Sequence, residues 1–161
     1  MTDEPRLTHV DERGAARMVD VADKAVTVRE ATARGRVTVA PRVIALLRGE
    51  GVPKGDALAV ARIAGIQAAK RTPELVPLAH PIAIHGVTVD LEVTDEAVEI
   101  TATVRTADRT GVEMEALTCV AVAGLALVDM VKAVDRAAVI GDVRVVAKSG
   151  GRSGTWRRPG E

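Results

Sequence analysis

Four ionisable residues on one predicted helix are the strongest candidates for chemistry in this sequence. Residues 110–132 read TGVEMEALTCVAVAGLALVDMVK, with Glu113 and Glu115 near the start and Asp129 and Lys132 near the end. Every residue between these two pairs is uncharged, so we expect a helix that is buried nearly all round. Acids and an amine in buried surroundings have pKa values that are easily displaced, which suits general acid and base catalysis.

The spacing of these charges predicts a site shared between two subunits. Glu115 and Asp129 lie on nearly the same face of the helix but about 21 Å apart along its axis, at ~1.5 Å per residue. A single helix therefore cannot easily bring both ends to one small molecule. If two helices pack antiparallel across a twofold axis, Glu115 of one subunit could approach Asp129 and Lys132 of another.

Structural explanations also exist for three of these four residues. Thr110 and Glu113 have the T-x-x-E spacing of a capping box, in which the glutamate caps the start of its own helix. Asp129 and Lys132 are one helical turn apart and could form a simple salt bridge. Glu115 has no equally ready local explanation beyond the positive helix end, so it is the better functional candidate of the two glutamates.

The histidines do not indicate a metal site. His80 lies between prolines in PLAHP, and His85 follows five residues later. No further Cys, His, Asp or Glu has the spacing of a third ligand. We therefore expect His80 to form hydrogen bonds or transfer protons, and His85 to be a surface residue.

Cations that suit phosphate groups are distributed along the chain rather than gathered in one motif. The P-loop pattern G-x-x-x-x-G-K-[ST] is absent. Lys54 precedes a predicted helix start, Lys148 opens the glycine-rich basic segment KSGGRSG, and Arg17 and Arg29 lie in the N-terminal third. Each cation alone is as easily explained as solvated surface.

The elements that must position these residues follow from hydrophobic periodicity and from the positions of proline and glycine. The order is strand, helices, strand, strand, helix, strand, which is the βαββαβ arrangement of a ferredoxin-like α+β sandwich, with an antiparallel sheet and helices on one face. The predicted elements are a strand within 24–40, a short helix from Pro41, a helix from an Asp56 N-cap to before Pro73, a loop at 74–81, a hairpin at 86–105, the helix at 110–132 and a strand at 142–149.

The length and composition indicate one soluble domain that forms homo-oligomers. The chain has 161 residues, and we predict a single domain with an N-terminal arm at 1–23 and a flexible, glycine-rich, basic tail at 149–161. The only aromatic residue is Trp156, so Val, Ala, Leu and Ile must fill the core. A core of small aliphatic residues gains from burying further surface against copies of the same chain.

Charge and composition also exclude several classes of partner. Lys plus Arg and Asp plus Glu both number 22, so no general attraction to nucleic acid or to acidic membranes follows. Bases would lack aromatic rings on which to stack. Cys119 is the only cysteine, so no intrachain disulfide forms. The apolar run is too short and alanine-rich for a membrane span and no signal peptide is evident, so we predict a cytoplasmic protein.

Several long segments together resemble one protein family, the molybdenum cofactor biosynthesis protein C family of cyclic pyranopterin monophosphate synthases. The similar segments are LTHVDERGAARMVDV, KGDALAVARIAGIQAAKRTPELVPLAHP, TGVEMEALTCVAVAGLALVDMVKAVD and AKSGGRSG. The resemblance implies a ferredoxin-like subunit in a hexamer built as a trimer of dimers, with active sites at subunit interfaces. It also implies a lyase that converts the cyclic dihydro-GTP intermediate into a pyranopterin with a cyclic phosphate and releases pyrophosphate.

The resemblance implies roles for individual residues as well. Asp129 would be the principal acid and base, with Lys132 as its catalytic neighbour. The residues implied to contact substrate are Leu78, Ala79, His80, Met114, Glu115 and Glu113, with Lys54, Lys148, Arg17 and Arg29 near the triphosphate. No cofactor is implied, and Mg²⁺ assistance is not indicated because no carboxylate cluster is evident. The sequence departs from the family at Ala79, where Cys is common, so only backbone contact is expected there, and at Arg152, where Lys is common.

Two other functions remain compatible with the residues alone. A nucleotide-sensing module could use the same cations to bind phosphate without catalysis, with Asp129 and Lys132 as an interface salt bridge. A purely structural oligomer would bind no nucleotide at all.

Overall fold

The fold is built on a five-stranded sheet whose strands all pair antiparallel. A computed structural model describes residues 7–49 and 57–161. The sheet has the order β2-β3-β1-β4-β5. The elements are β1 (Thr27–Thr38), α1 (Pro41–Leu47), α2 (Ala57–Lys70), α3 (Thr72–Leu75), β2 (Gly86–Val93), β3 (Ala97–Asp108), α4 (Glu113–Val131), β4 (Val139–Ser149) and β5 (Trp156–Arg157).

This topology confirms the predicted α+β, ferredoxin-like arrangement. Strands β1 and β3 are central, β2 and β4 flank them, and helices α2 and α4 pack together over one face of the sheet. The predicted hairpin is present as β2 and β3, joined by a turn in which Thr94 and Ala97 exchange hydrogen bonds of 2.8–3.1 Å.

The central strand β1 explains why the sheet has one buried face and one face that carries charged side chains. Ala31, Ala33 and Val37 are buried under the helices. The alternating residues carry charge on the other face, where Arg36 forms an ion pair of 3.3 Å with Glu99 of β3. Because successive side chains of a strand point to opposite faces, this alternation by itself orients the sheet.

Small residues allow α2 and α4 to approach closely. A Cβ atom added at Gly65 of α2 would lie 2.9 Å from the backbone oxygen of Cys119 in α4. Helix α4 is long and apolar enough to cross a membrane, so the expectation that this run is too short and alanine-rich for a span is wrong. Here it lies against α2 and three strands of the sheet, as the core helix of the domain.

Helix α4 is nevertheless less buried, and begins later, than the sequence predicts. Its exposed residues include Leu125, at 60%, so the expectation of burial all round is wrong for a single chain. The helix begins at Glu113 with Val112 as N-cap, and no side chain caps it. The predicted capping box is therefore wrong, because Thr110 lies before the helix and donates to the Gly111 carbonyl oxygen instead.

Two further segments differ from the sequence-based expectation. Part of the predicted loop at 74–81 belongs to α3, where Pro73 occupies the first turn and needs no amide donor. The predicted flexible tail instead includes β5, which pairs with β4, and Glu161 binds Arg34 and Arg144 on adjacent strands. Arg34 and Arg144 are directly opposite in the sheet, so the carboxylate offsets their repulsion.

Candidate active site

Two adjoining clefts lie where the start of α4 meets the N-terminal arm and the end of β4. The first, which we call the ring cleft, has a volume of about 550 Å³ and a mostly apolar lining. The second, which we call the phosphate cleft, has a volume of about 600 Å³, and its lining combines three glycines and four cations with the carboxylates of Asp23, Glu30 and Glu113. The two clefts share Lys24 and Gly111.

The ring cleft contains five of the residues predicted to contact substrate. They come from the loop after α3 and from the first turn of α4, and they are Leu78, Ala79, His80, Met114 and Glu115. The remaining walls come mainly from arm residues such as Val19 and Val21, which sequence reasoning did not assign to a site. The structure thus brings together residues that are more than thirty positions apart in the chain.

Glu115 is the most unusual group in the ring cleft. Only 3% of the residue is exposed. Burial raises the pKa of its carboxyl to about 7, its own backbone hydrogen bond works in the opposite direction, and the nearby charge of Glu113 adds to the rise. A carboxyl with this pKa is partly protonated at neutral pH and can either donate or accept a proton.

His80 connects the ring cleft to the N-terminal arm. Its Nε2 lies 2.5 Å from the carbonyl oxygen of Val19, so Nε2 carries the proton in this contact. In the neutral ring Nδ1 is then an acceptor, and no hydrogen-bond partner for it occurs within residues 7–49 and 57–161. His85 is exposed, as predicted, and its Nδ1 accepts a 3.3 Å hydrogen bond from the Ala107 amide.

The phosphate cleft contains three further predicted residues, Arg29, Glu113 and Lys148, together with Arg152. Lys148 forms an ion pair of 3.1 Å with Glu113, and both side chains are half-buried. Arg29 is held by a 3.0 Å hydrogen bond from its Nε to the Asp108 carbonyl oxygen. The cleft therefore presents fixed cations at sites where anionic oxygens can bind.

Glycines allow the loop after β4 to pass directly over β1. Gly150 and Gly151 both have positive φ angles, of 89° and 71°. An added Cβ atom would overlap the Val28 carbonyl oxygen at Gly150 and the Arg29 guanidinium at Gly151. Only glycine fits this approach, which places the loop's backbone beside the cations of the cleft.

The structure does not bring the other predicted residues into these clefts. Asp129 and Lys132 form an ion pair of 2.5 Å, with side chains 67% and 64% exposed. They lie at the far end of α4, with Asp129 about 21 Å and Lys132 about 25 Å from Glu115 along the axis at ~1.5 Å per residue. Arg17 is on the arm, in a neighbouring hollow that shares Thr8 and Val19 with the ring cleft. Lys54, like the predicted N-cap Asp56, lies outside the described residues.

Lys24 is a functional candidate that sequence reasoning missed, and so is the way in which Gly150 and Gly151 position the basic segment. Lys24 precedes β1 in a segment that shows only strand-like alternation, so no local pattern marks it. The glycines belong to KSGGRSG, but their packing on β1 depends on a contact between distant parts of the chain.

Comparisons with known proteins agree on one family. Residues 18–151 match the model of the MoaC family. Over 153 residues, the chain is 72% identical to the cyclic pyranopterin monophosphate synthase of Streptomyces coelicolor, covering 95% of this chain and 90% of that protein. It is 69% identical to the protein of the same name from Nocardioides sp., and this match covers 99% of this chain and 100% of that protein.

The match to a less similar relative covers nearly the same length of the chain. Cyclic pyranopterin monophosphate synthase 2 of Mycobacterium tuberculosis is 60% identical over 152 residues, covering 94% of this chain and 91% of that protein. The family match at residues 18–151 includes the whole of α4 and most of the residues that line both clefts. This chain therefore belongs to the MoaC family.

Proposed function

We propose that this chain catalyses the cyclic pyranopterin monophosphate synthase reaction of molybdenum cofactor biosynthesis. In this reaction 3',8-cyclo-7,8-dihydro-GTP rearranges to cyclic pyranopterin monophosphate and pyrophosphate is released, so the enzyme is a lyase. Relatives that are 69–73% identical have this name. The structural observation that supports it best is the pair of adjoining clefts, since one suits a heterocycle and the other a polyphosphate.

The ring cleft supplies proton donors and acceptors for the rearrangement. Opening and closing rings requires protons to move at nitrogen and oxygen atoms, and groups with a pKa near neutrality do this best. Glu115, with a pKa of about 7, and His80, with Nδ1 as an acceptor, fit these roles. Leu78, the Ala79 backbone and Met114 would hold the heterocycle between them.

The phosphate cleft supplies cations for the departure of pyrophosphate. Arg29 and Lys148 would bind the outer phosphates, and Glu113 would hold Lys148 in place until substrate arrives. Lys54 and Arg17 complete the proposed set of cations. Positive charge close to the leaving oxygens lowers the barrier to their departure.

Asp129 and Lys132 would reach the clefts from a second subunit. Their exposure and their distance from Glu115 support this arrangement, because an acid and an amine that act on the same substrate must lie within hydrogen-bond reach of it. A homo-oligomer with interfacial sites, a hexamer built as a trimer of dimers, satisfies this requirement. We further propose that the enzyme acts in the cytoplasm and needs no cofactor, with Mg²⁺ assistance optional.

The assay for this function is direct. Purified protein is mixed with 3',8-cyclo-7,8-dihydro-GTP, and pyrophosphate and cyclic pyranopterin monophosphate are measured by a coupled assay and mass spectrometry. Asp129→Asn and Lys132→Ala should each remove most turnover in a folded oligomer, while Asp90→Asn, at an exposed position of β2, should not. Normal turnover in either catalytic variant would contradict the assigned roles, and tight binding without product would favour the nucleotide-sensing alternative.

Mixed oligomers test whether the site is shared between subunits. Glu115→Ala and Asp129→Asn chains are unfolded together, refolded as a mixture and compared with each variant alone. Shared sites should restore part of the activity, since some interfaces would then combine an intact Glu115 with an intact Asp129. Absence of any recovery would place each site within one chain.

A further inference from the structure

Lys24 is held at the junction of the ring cleft and the phosphate cleft. It is the only cation that lines both clefts among the described residues. Its backbone is fixed on both sides, since its amide donates to the Val21 carbonyl oxygen at 3.0 Å and its carbonyl oxygen accepts a 3.1 Å hydrogen bond from Arg109 Nε. The half-buried side chain has no part in these contacts.

The charge of Lys24 is not neutralised by the protein. No carboxylate lies within 4.0 Å of its amine in residues 7–49 and 57–161. Lys148, by contrast, is paired with Glu113 in the same cleft. A partly desolvated ammonium without an acidic partner is a ready binding site for an anionic oxygen.

The position of Lys24 indicates which part of the substrate it meets. This step rests on the proposed function, in which the heterocycle lies in the ring cleft and the outer phosphates lie in the phosphate cleft. The substrate's α-phosphate connects these two parts and must then lie at the junction. We propose that Lys24 binds the α-phosphate and stabilises the charge that develops there when the cyclic phosphate forms.

The bond changes show why a cation is needed at this point. A substrate hydroxyl oxygen bonds to the α-phosphorus, and the bond from that phosphorus to the oxygen bridging to the β-phosphate breaks. The bridging oxygen leaves with the electron pair as part of pyrophosphate, and the hydroxyl proton passes to a carboxylate of the site and then to water. An ammonium beside the α-phosphate offsets the charge on the transferring group and on the leaving oxygen.

Side-chain variants at position 24 test this role, because the contacts that hold the backbone there do not involve the side chain. Lys24→Gln should lower kcat roughly 100-fold, the loss typical of removing one charge-stabilising donor, with a much smaller change in KM. Lys24→Arg should recover part of the rate. Lys70→Gln, at an exposed position of α2 away from both clefts, should behave like the wild type.

Binding measurements separate the α-phosphate from the outer phosphates. Lys24→Gln should weaken binding of guanosine 5'-monophosphate about tenfold in calorimetry, while affinity for inorganic pyrophosphate stays within about twofold of wild type. Lys148→Gln should show the opposite pattern. Equal affinity of Lys24→Gln and wild type for the monophosphate, or a loss confined to pyrophosphate, would overturn the proposal for Lys24.

The two proposals fail in different ways. A wild-type protein that releases no pyrophosphate from the cyclic dihydro-GTP substrate would contradict the proposed function. The monophosphate and pyrophosphate affinities do not depend on turnover, so they still decide the position of Lys24. Wild-type kcat in Lys24→Gln would refute its role in the chemical step even if binding weakened.

Discussion

Replacing Glu115 by glutamine should remove a pH dependence from the stability of this protein. The residue is almost fully buried, and burial raises the pKa of its carboxyl from an ordinary 4.5 to about 7 in the folded chain. The folded state therefore keeps its proton at pH values where the unfolded chain has already lost it. A glutamine of nearly the same shape has no proton to lose.

The magnitude follows from the difference between the folded and unfolded pKa values. That difference is about 2.5 pH units, and each unit corresponds to about 1.4 kcal/mol, so the total is about 3 to 4 kcal/mol. Because the pKa of this carboxyl is raised in the folded chain, its protonated form stabilises the folded state relative to its ionised form. The stabilising contribution is complete below about pH 4.5, falls as the pH rises, and is lost above about pH 7.

Denaturant unfolding at fixed protein concentration, followed by circular dichroism, measures this contribution. Between pH 5 and pH 8 the free energy of unfolding of Glu115→Gln should rise relative to wild type by about 2 to 3 kcal/mol. A pH-independent offset from the altered hydrogen bond does not affect this comparison. Glu96→Gln is the matched control, since Glu96 is exposed in the β2–β3 turn and only its backbone oxygen accepts a hydrogen bond from the rest of the fold.

One result would refute this reasoning. If Glu115→Gln and wild type differed by the same free energy at pH 5 and at pH 8, the carboxyl of Glu115 would titrate alike in the folded and unfolded chains. The proposed proton-transfer role at neutral pH would then lose its physical basis.

Three further predictions test the loop, the tail and the helix contact. Gly150→Ala should lower the free energy of unfolding by about 1–3 kcal/mol through backbone strain and overlap with β1, whereas Gly141→Ala, with open space at the new Cβ, should cost much less in the same denaturant titration. A hydrogen bond from Arg144 lowers the pKa of the Glu161 carboxyl, so the stabilising contacts of this carboxylate are lost as the pH falls through that lowered value. Glu161→Gln removes the charge at every pH and should therefore change the fluorescence of the single tryptophan, Trp156, already at neutral pH. Gly65→Ala should cost about 1–3 kcal/mol by crowding α4, seen as a lower Tm.

Local sequence patterns were sufficient to predict most of the secondary structure. The alternation in β1, β2 and β3 and the apolar length of α4 are properties of neighbouring residues, and they produced the correct element order and fold class. The predictions failed where a contact between distant residues decides whether an element forms or where it begins. The short α3 and the pairing of β5 with β4 have weak local signals, and the start of α4 was misplaced because a capping pattern was present but unused.

In the candidate site, as in the fold, local patterns predict some features and long-range contacts produce the others. The unusual charges of the helix at 110–132 and the KSGGRSG segment are visible in the sequence, because charged residues beside long apolar runs and clustered glycines are local features. The phosphate cleft depends on the end of β4 lying against β1, where Lys148 reaches Glu113 and Gly151 lies on Arg29. The ring cleft depends on the arm and the loop after α3 meeting the start of α4. Lys24 has no local signal at all, and only the tertiary structure places it between the clefts.

The sequence by itself therefore determined the fold class, the family and most of the residues that suit chemistry, since these depend on residue type and short-range spacing. Only the tertiary structure decided the surroundings of each charge. It buried Glu115 and raised its pKa, while it left Asp129 and Lys132 in solvent at the other end of the same helix. The physical reason is that desolvation depends on the atoms packed around a group, and those atoms come from distant parts of the chain.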